Sequence, residues 1–391
     1  MKTRLSLFLL LFPFILSAQW TNLDAGTNVN WHAIHFFDAK HGLVSGEFMG
    51  IAVTHDGGET WTDTLLDPDG AGEILYDCWM ASPTTAYAAG SGGKVYRTVD
   101  GGVSWELTLS VTINNVFGIQ FLDSLQGYFC GVGGTLFQTT DGGNSWSNIP
   151  LSFSGTLRAL HFSEPGFGQV MGVDGRWIRI ELDAETETRS VLVNENFYDM
   201  VYIDDQTGFA CSTSSRVLAR TLDNGDNWSQ IPLGISLDRD WYGMSKYPPS
   251  GVAVVGGWTS PITGEEGYIR IGPDAGWNGD DFNMVLRDVS FPAVDTGYIC
   301  GNDGFIAKTT EGVITSASSV ELPAPDFYPN PARDFLRIEL PDQPLELVGM
   351  DGRVRPVQLK GQRIRLQDLP AGQYVIRQPE GEWQLSFTKL D

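Results

Sequence analysis

THDGGETW at 54–61, TVDGGVSW at 98–105, TTDGGNSW at 139–146 and TLDNGDNW at 221–228 are four copies of one short motif. Each reads Thr-x-Asp-x-Gly-x-Ser/Thr-Trp, with Asn227 in place of the hydroxyl residue in the last. The Asp can accept hydrogen bonds from turn amides, the Gly permits positive φ, and the Trp supplies a large apolar wedge. A second ladder runs upstream of each copy: an aromatic strand, a Gly, then a short apolar strand ending in a small residue and Gly. Its rungs are Ser45, Ala89, Cys130, Met171, Cys211, Val255 and Cys300, spaced 40 to 45 residues apart. That period holds four short strands, which predicts one propeller blade per repeat and seven blades in all. Repeats four, six and seven keep the strands but lose the motif, with LDAETETR, PDAGWNGD and TTEGVITS in its place. Blade seven lacks a Trp-led fourth strand. Residues 19–26, beginning Gln19-Trp20-Thr21, resemble the segment just after each motif and are expected to supply that strand, leaving no open sheet edge.

Composition bounds the function. The chain has 391 residues, 25 Lys+Arg against 48 Asp+Glu, and 42% apolar residues, ample for a packed core. A net charge of −23 argues against nucleic acid as a partner, since phosphate contacts need clustered cations. Lys2 and Arg4 precede an apolar run from Leu5 to Leu16 and the small pair Ser17-Ala18, a signal-peptide pattern over 1–18. No later stretch is apolar enough to span a bilayer as a helix. Cys78, Cys130, Cys211 and Cys300 fall on strands of separate repeats, which predicts free buried thiols rather than disulfides or a zinc site.

The resulting division is 1–18 signal peptide, 19–315 propeller, 316–325 linker and 326–391 a small C-terminal β-sandwich, so the fold class is all-β. The last segment is net −1 and the first +2, so the rest carries −24.

The four motifs resemble the Asp-box, or bacterial neuraminidase repeat: Asp56, Gly58 and Trp61; Asp100, Gly102 and Trp105; Asp141, Gly143 and Trp146; Asp223, Gly225 and Trp228. The repeat unit over roughly 28–312 also resembles photosystem II assembly-factor-like propellers, which implies a scaffold-like role. The C-terminal segment resembles the type A sorting domain of the Bacteroidetes type IX secretion system. Tyr328, Pro329, Asn330 and Pro331, then Gly352, Leu369, Gly372, Tyr374 and Lys389 carry that likeness. It implies export through the periplasm to the outer surface or medium, with the secretion machinery as a partner.

In such propellers the boxes have a structural role, and a ligand meets the opposite face. The repeat alignment puts there Trp31, His32, Tyr76, Asp77, Phe117, Arg158, Tyr198, Asp199, Arg239, Asp240, Trp241, Tyr242, Arg287 and Asp288. Aromatics and acids about an axis could stack sugars or grip a peptide, and Trp31 and Trp241 are the expected anchors. The alternative is that these residues only pack the channel mouth. The leading reading is non-catalytic binding of a glycan or extracellular protein, with no catalytic residue, cofactor or metal. A glycoside hydrolase is the runner-up. For a sialidase, Arg158, Arg239 and Arg287 are conceivable carboxylate clamps, but the Arg-Ile-Pro motif of those enzymes is missing. Asp67, Asp69 and Glu73 form an acidic turn rather than a standard calcium loop. His32 and His35, three apart on a strand, are expected to face opposite sides.

Overall fold

In the computed structural model the chain divides into two compact units, Met1–Thr315 and Ser316–Asp391. Residues 20–310 are described, apart from 68, 70–71, 110–113, 182–186, 191–194, 214–217, 232–239, 249–250, 261–263, 273–276 and 278; beyond 310 only strand backbone is described. The signal-peptide reading of 1–18 and the linker 316–325 lie outside the described residues. In the second unit the strands form one three-stranded and one four-stranded sheet, the latter joining Pro344–Gly349 to Val354–Gln358 and Gly372–Arg377. The sorting-motif residues outside those strands are not described.

The first unit is a seven-bladed β-propeller: seven antiparallel four-stranded sheets succeed one another along the chain. Six are built from consecutive strands. In the seventh, Thr21–Leu23 pairs with Ile306–Thr309, register Thr21 against Lys308, so the N-terminal segment is its outermost strand. The innermost strands are Trp31–Phe36, Leu75–Met80, Val116–Phe121, Leu157–Glu164, Phe197–Tyr202, Asp240–Tyr247 and Leu286–Ala293.

Each inner strand carries a β-bulge at the same place, between its first and third aligned residues (Trp31/Ala33, Leu75/Asp77, Val116/Gly118, Leu157/Ala159, Phe197/Asp199, Trp241/Gly243, Leu286/Asp288). The glycine rung explains it. A Cβ on Gly46, Gly90, Gly131, Gly172, Gly256 or Gly301 would lie 2.0–2.3 Å from the carbonyl oxygen just before the first of those residues. In these six blades glycine leaves room for that approach. Blade five has Ser212 there instead, its hydroxyl donating to Glu195 Oε2 at 3.0 Å.

Blades lock to one another through the boxes. In the first, Asp56 Oδ1 accepts from Thr60 N (2.9 Å) and Thr54 Oγ1 (2.9 Å), while Gly58 N donates to Thr54 Oγ1 (2.8 Å). In the fourth, Asn227 Nδ2 donates to Asp223 Oδ2 at 2.7 Å, so the amide replaces the hydroxyl without loss of a bond. The preceding blade then caps the carbonyl of each box's central residue: Lys308 on Gly57, His55 on Gly101, Arg97 on Gly142 and Arg179 on Asn224. The apolar counterpart is a stack across the interface, with Tyr87 on Phe121, Tyr128 on Phe162 and Tyr298 on Phe36 at 3.7, 3.6 and 3.4 Å between ring centres. Box tryptophans Trp61 and Trp146 meet Phe36 and Phe121 edge-on. Tyr298 also donates its buried hydroxyl to Ala39 O at 2.9 Å, across the junction of the last and first blades. Tyr298→Phe keeps the stack and loses that bond, so urea unfolding should show a loss of about 1 kcal/mol.

Candidate functional site

The bulge decides which side chains reach the axis. Without it, alternation would send the second and third residues of an inner strand to opposite sides. With it, both face the next blade, and so does the fifth. His32 meets Tyr76, Ala33 packs with Cys78, and His35 Nδ1 accepts Met80 N at 3.2 Å. The expectation that His32 and His35 face opposite sides is therefore wrong: the extra residue shifts the phase between them.

The residues lying within the bulge of each inner strand form a collar at the channel mouth: His32, Tyr76, Phe117, Arg158, Tyr198, Tyr242 and Arg287. Ring centres lie 6.0 Å apart for His32–Tyr76, 4.7 Å for Tyr76–Phe117 and 5.4 Å for Tyr198–Tyr242. The Arg158 guanidinium sits 4.4 Å from the Phe117 ring centre and 4.5 Å from that of Tyr198. Arg287 lies 4.8 Å over Tyr242 and donates from Nε to Asn302 Oδ1 at 3.1 Å. Burial, then the charge of Arg287, lowers the His32 pKa to about 4, so the imidazole is neutral at pH 7. Inner strands start at this face, and antiparallel pairing puts the turns between third and fourth strands at the other end. The boxes thus lie on the face opposite the collar.

Behind the collar is an axial cavity of about 380 Å³. Its wall holds three carboxyl groups at the third strand position, Asp77, Asp199 and Asp288, and each bridges two inner strands. One oxygen accepts the next residue's N–H (Cys78 2.7 Å, Met200 2.7 Å, Val289 2.8 Å). The other accepts an N–H of the next blade (Ile119 2.8 Å, Met244 2.6 Å, Ile34 2.9 Å). Desolvation raises all three pKa values: Asp77 to about 8, Asp199 to about 6, and Asp288 well above the carboxylate range, with Asp199 adding repulsion. His35 and His161, buried and without a charged partner, are pushed down to about 4.

Of the residues expected at this face, Tyr76, Asp77, Phe117, Arg158, Tyr198, Asp199, Arg287 and Asp288 line the cavity, together with His32 and Tyr242. Trp31 and Trp241 do not. They are 0% and 4% exposed and belong to inter-blade cores, Trp31 beside Ile34 and Phe36, Trp241 edge-on to Tyr268. Both occupy the aligned position just before the bulge and are buried between blades, so they do not reach the mouth. Asp240 accepts the Tyr242 hydroxyl at 3.3 Å, and Arg239 lies outside the described residues. Gln120, Ser245 and Ser290, not singled out from the sequence, also stitch blades: Phe162 N donates to Gln120 Oε1 (2.7 Å), Phe291 N to Ser245 Oγ (3.1 Å) and Phe36 N to Ser290 Oγ (3.1 Å). Their signal was their common place, three after the collar residue.

The four cysteines are buried free thiols. Lys94 Nζ pairs with Asp67 at 2.7 Å and with Glu73 at 2.5 Å, which uses the acidic turn as an ion-pair site. Among the described residues no three His, Cys, Asp or Glu converge as metal ligands, and no helix is long and apolar enough to cross a membrane.

Comparison with known proteins adds a partial family likeness and a shared fold. Residues 12–111 match the family described as photosynthesis system II assembly factor YCF48. The photosystem II assembly lipoprotein Ycf48 of Synechococcus sp. (strain CC9902) is 32% identical over 94 residues, 24% of this chain and 28% of that relative's length. The solved structure titled YCF48 bound to D1 peptide aligns over 74% of this chain and 96% of its own, with 20% identity and a TM-score of 0.61. YCF48 from Cyanidioschyzon merolae aligns over 75% and 99%, with 15% identity and a TM-score of 0.60. A streptogramin B lyase reaches the same TM-score at 9% identity, over 75% and 97%, so the likeness of the ring speaks to fold alone. The chain is thus similar to the YCF48 assembly factors in its first quarter and shares their propeller fold across the ring.

Proposed function

We propose that this chain is a non-catalytic, protein-binding propeller that takes a peptide segment of an extracellular or cell-surface partner at its collar. The observation that carries the reading is the run of neighbouring aromatic and guanidinium side chains from His32 through to Arg287 around one mouth of the axial cavity. Rings and planar cations bury large area at low entropy cost, a composition typical of protein-binding hot spots. A solved propeller of the same fold, YCF48, is bound to D1 peptide, which is consistent with this use of the ring. Both oxygens of Asp77, Asp199 and Asp288 accept backbone N–H groups of two inner strands, which gives these carboxyls a bridging role in the ring.

The signal-peptide pattern at 1–18 and the sorting-domain likeness of 326–391 support export by a type IX route and a place of action outside the cell. The partner is then a secreted or surface protein. A glycan is the second reading, favoured by the adjacent rings of Tyr76 and Phe117 at the mouth. The test is selection from a displayed peptide library beside a broad glycan array, using the full chain and Tyr198→Ala. Enriched peptides whose binding falls at least about tenfold in the variant support the proposal. Saturable binding to glycans alone overturns it.

A further inference from the structure

Arg158 and Arg176 make no hydrogen bond or ion pair among the described residues, and of the two only Arg158 lines the axial cavity. Arg97 and Arg179 cap box carbonyls and pair with acids, Arg270 pairs with Asp281, and Arg287 donates to Asn302. Arg158 has rings against its guanidinium, Phe117 at 4.4 Å and Tyr198 at 4.5 Å, and no hydrogen bond or ion pair among the described residues. Stacking satisfies the faces of a guanidinium and leaves its edge, where all five N–H donors lie. The wall carboxyls on either side, Asp77 on blade two and Asp199 on blade five, accept backbone N–H groups at both oxygens. They are turned to the strands, not to Arg158. A permanently charged fork is therefore held rigid at the mouth of a cavity, in a chain of net charge −23. General attraction for anions is absent, so only a local, geometrically matched contact can bring one there.

Resting on the peptide reading above, we infer that Arg158 is the specificity anchor of the collar and receives a carboxylate of the bound peptide in a two-point contact. An acidic side chain and a free chain terminus offer the same chemistry. The rings of Phe117 and Tyr198, from the blades before and after, hold the guanidinium between them at the mouth of the cavity.

The test uses the full chain labelled with ¹⁵N-arginine and three pentapeptide probes. The first is acetyl-Ala-Phe-Glu-Phe-Ala-amide, whose one carboxylate is internal. The second is acetyl-Ala-Phe-Gln-Phe-Ala with a free C-terminus, and the third is its amide, with no carboxylate. The Arg158 Nε–H resonance is assigned by its loss in Arg158→Lys. One or both carboxylate peptides should move that resonance and bind about tenfold more tightly than the neutral amide. Which of the two does so identifies the source. Arg158→Lys should lose most of that preference, because an ammonium cannot make the planar fork, and Arg158→Gln should lose all of it. Equal affinity for all three peptides, or a preference that survives in Arg158→Gln, overturns the inference and leaves the peptide reading standing. Failure of all three to bind overturns both.

Discussion

Asp288→Ala should cost more stability than removal of any single collar side chain, roughly 2–6 kcal/mol in urea unfolding. Asp288 joins the last blade to the first. One oxygen accepts Val289 N at 2.8 Å within its own strand, and the other accepts Ile34 N at 2.9 Å in the first blade. Alanine leaves two buried backbone donors without acceptors, at about 1–3 kcal/mol each. The carboxyl is also closely fitted to the neighbouring blade, since a Cβ on Gly243 would stand 2.6 Å from Asp288 Oδ1. Asp288→Asn should fall between, since an amide oxygen can serve one donor while its NH₂ opposes the other. The loss should also be local at first. Amide exchange at Ile34 and Phe36 should accelerate before that of Ile119, whose acceptor is Asp77. Equal acceleration around the whole ring, or a cost below about 1 kcal/mol, would show that the Thr21–Leu23 strand pairing closes the ring unaided.

Stability should fall as pH rises from 6.5 to 8, the reverse of the usual carboxylate effect. Asp77 titrates near 8 in the folded chain against 3.8 ordinarily, because burial disfavours its charge. The folded state then holds a proton that the unfolded state has released, so this contribution is complete below about pH 4 and is lost on the way to pH 8. Asp199 does the same up to about 6, and Asp288 to higher pH. The buried histidines act oppositely. His32, His35 and His161 titrate near 4 instead of 6.5, so their contribution is complete above 6.5 and is lost on acidification toward 4. Between 4 and 6 the two sets offset one another. Above 6.5 only Asp77 and Asp288 remain, each able to remove up to roughly 1.4 kcal/mol per pH unit. Urea midpoints at pH 5.5, 6.5, 7.5 and 8.5 should be level and then decline, with a shallower decline in Asp77→Asn. A midpoint rising to pH 8 would mean that the backbone donors keep these carboxyls ionised.

Local chemistry was legible in the sequence because it repeats. The Asp-boxes, the glycine rung and the 40–45-residue spacing each encode a turn or a strand end, and seven recurrences leave one architecture that buries them all. The face opposite the boxes could be named for the same reason, since strand direction alternates with strand count. The anchors on that face could not. Trp31 and Trp241 looked like ligand contacts because simple alternation cannot reveal a bulge, and the residue just before the bulge is buried in the core while the one within it reaches the mouth. Closure of the ring through Asp288 and Ile34, 254 residues apart, joins positions that no local pattern relates. The free edge of Arg158 depends likewise on rings from the blades before and after it. The repeating sequence by itself determined the blade, its turns and the number of copies, because those depend on short-range backbone geometry. Only the tertiary structure decided which side chains line the channel, which carboxyls are tied to backbone donors and which cation faces the cavity mouth, because those depend on how neighbouring blades meet.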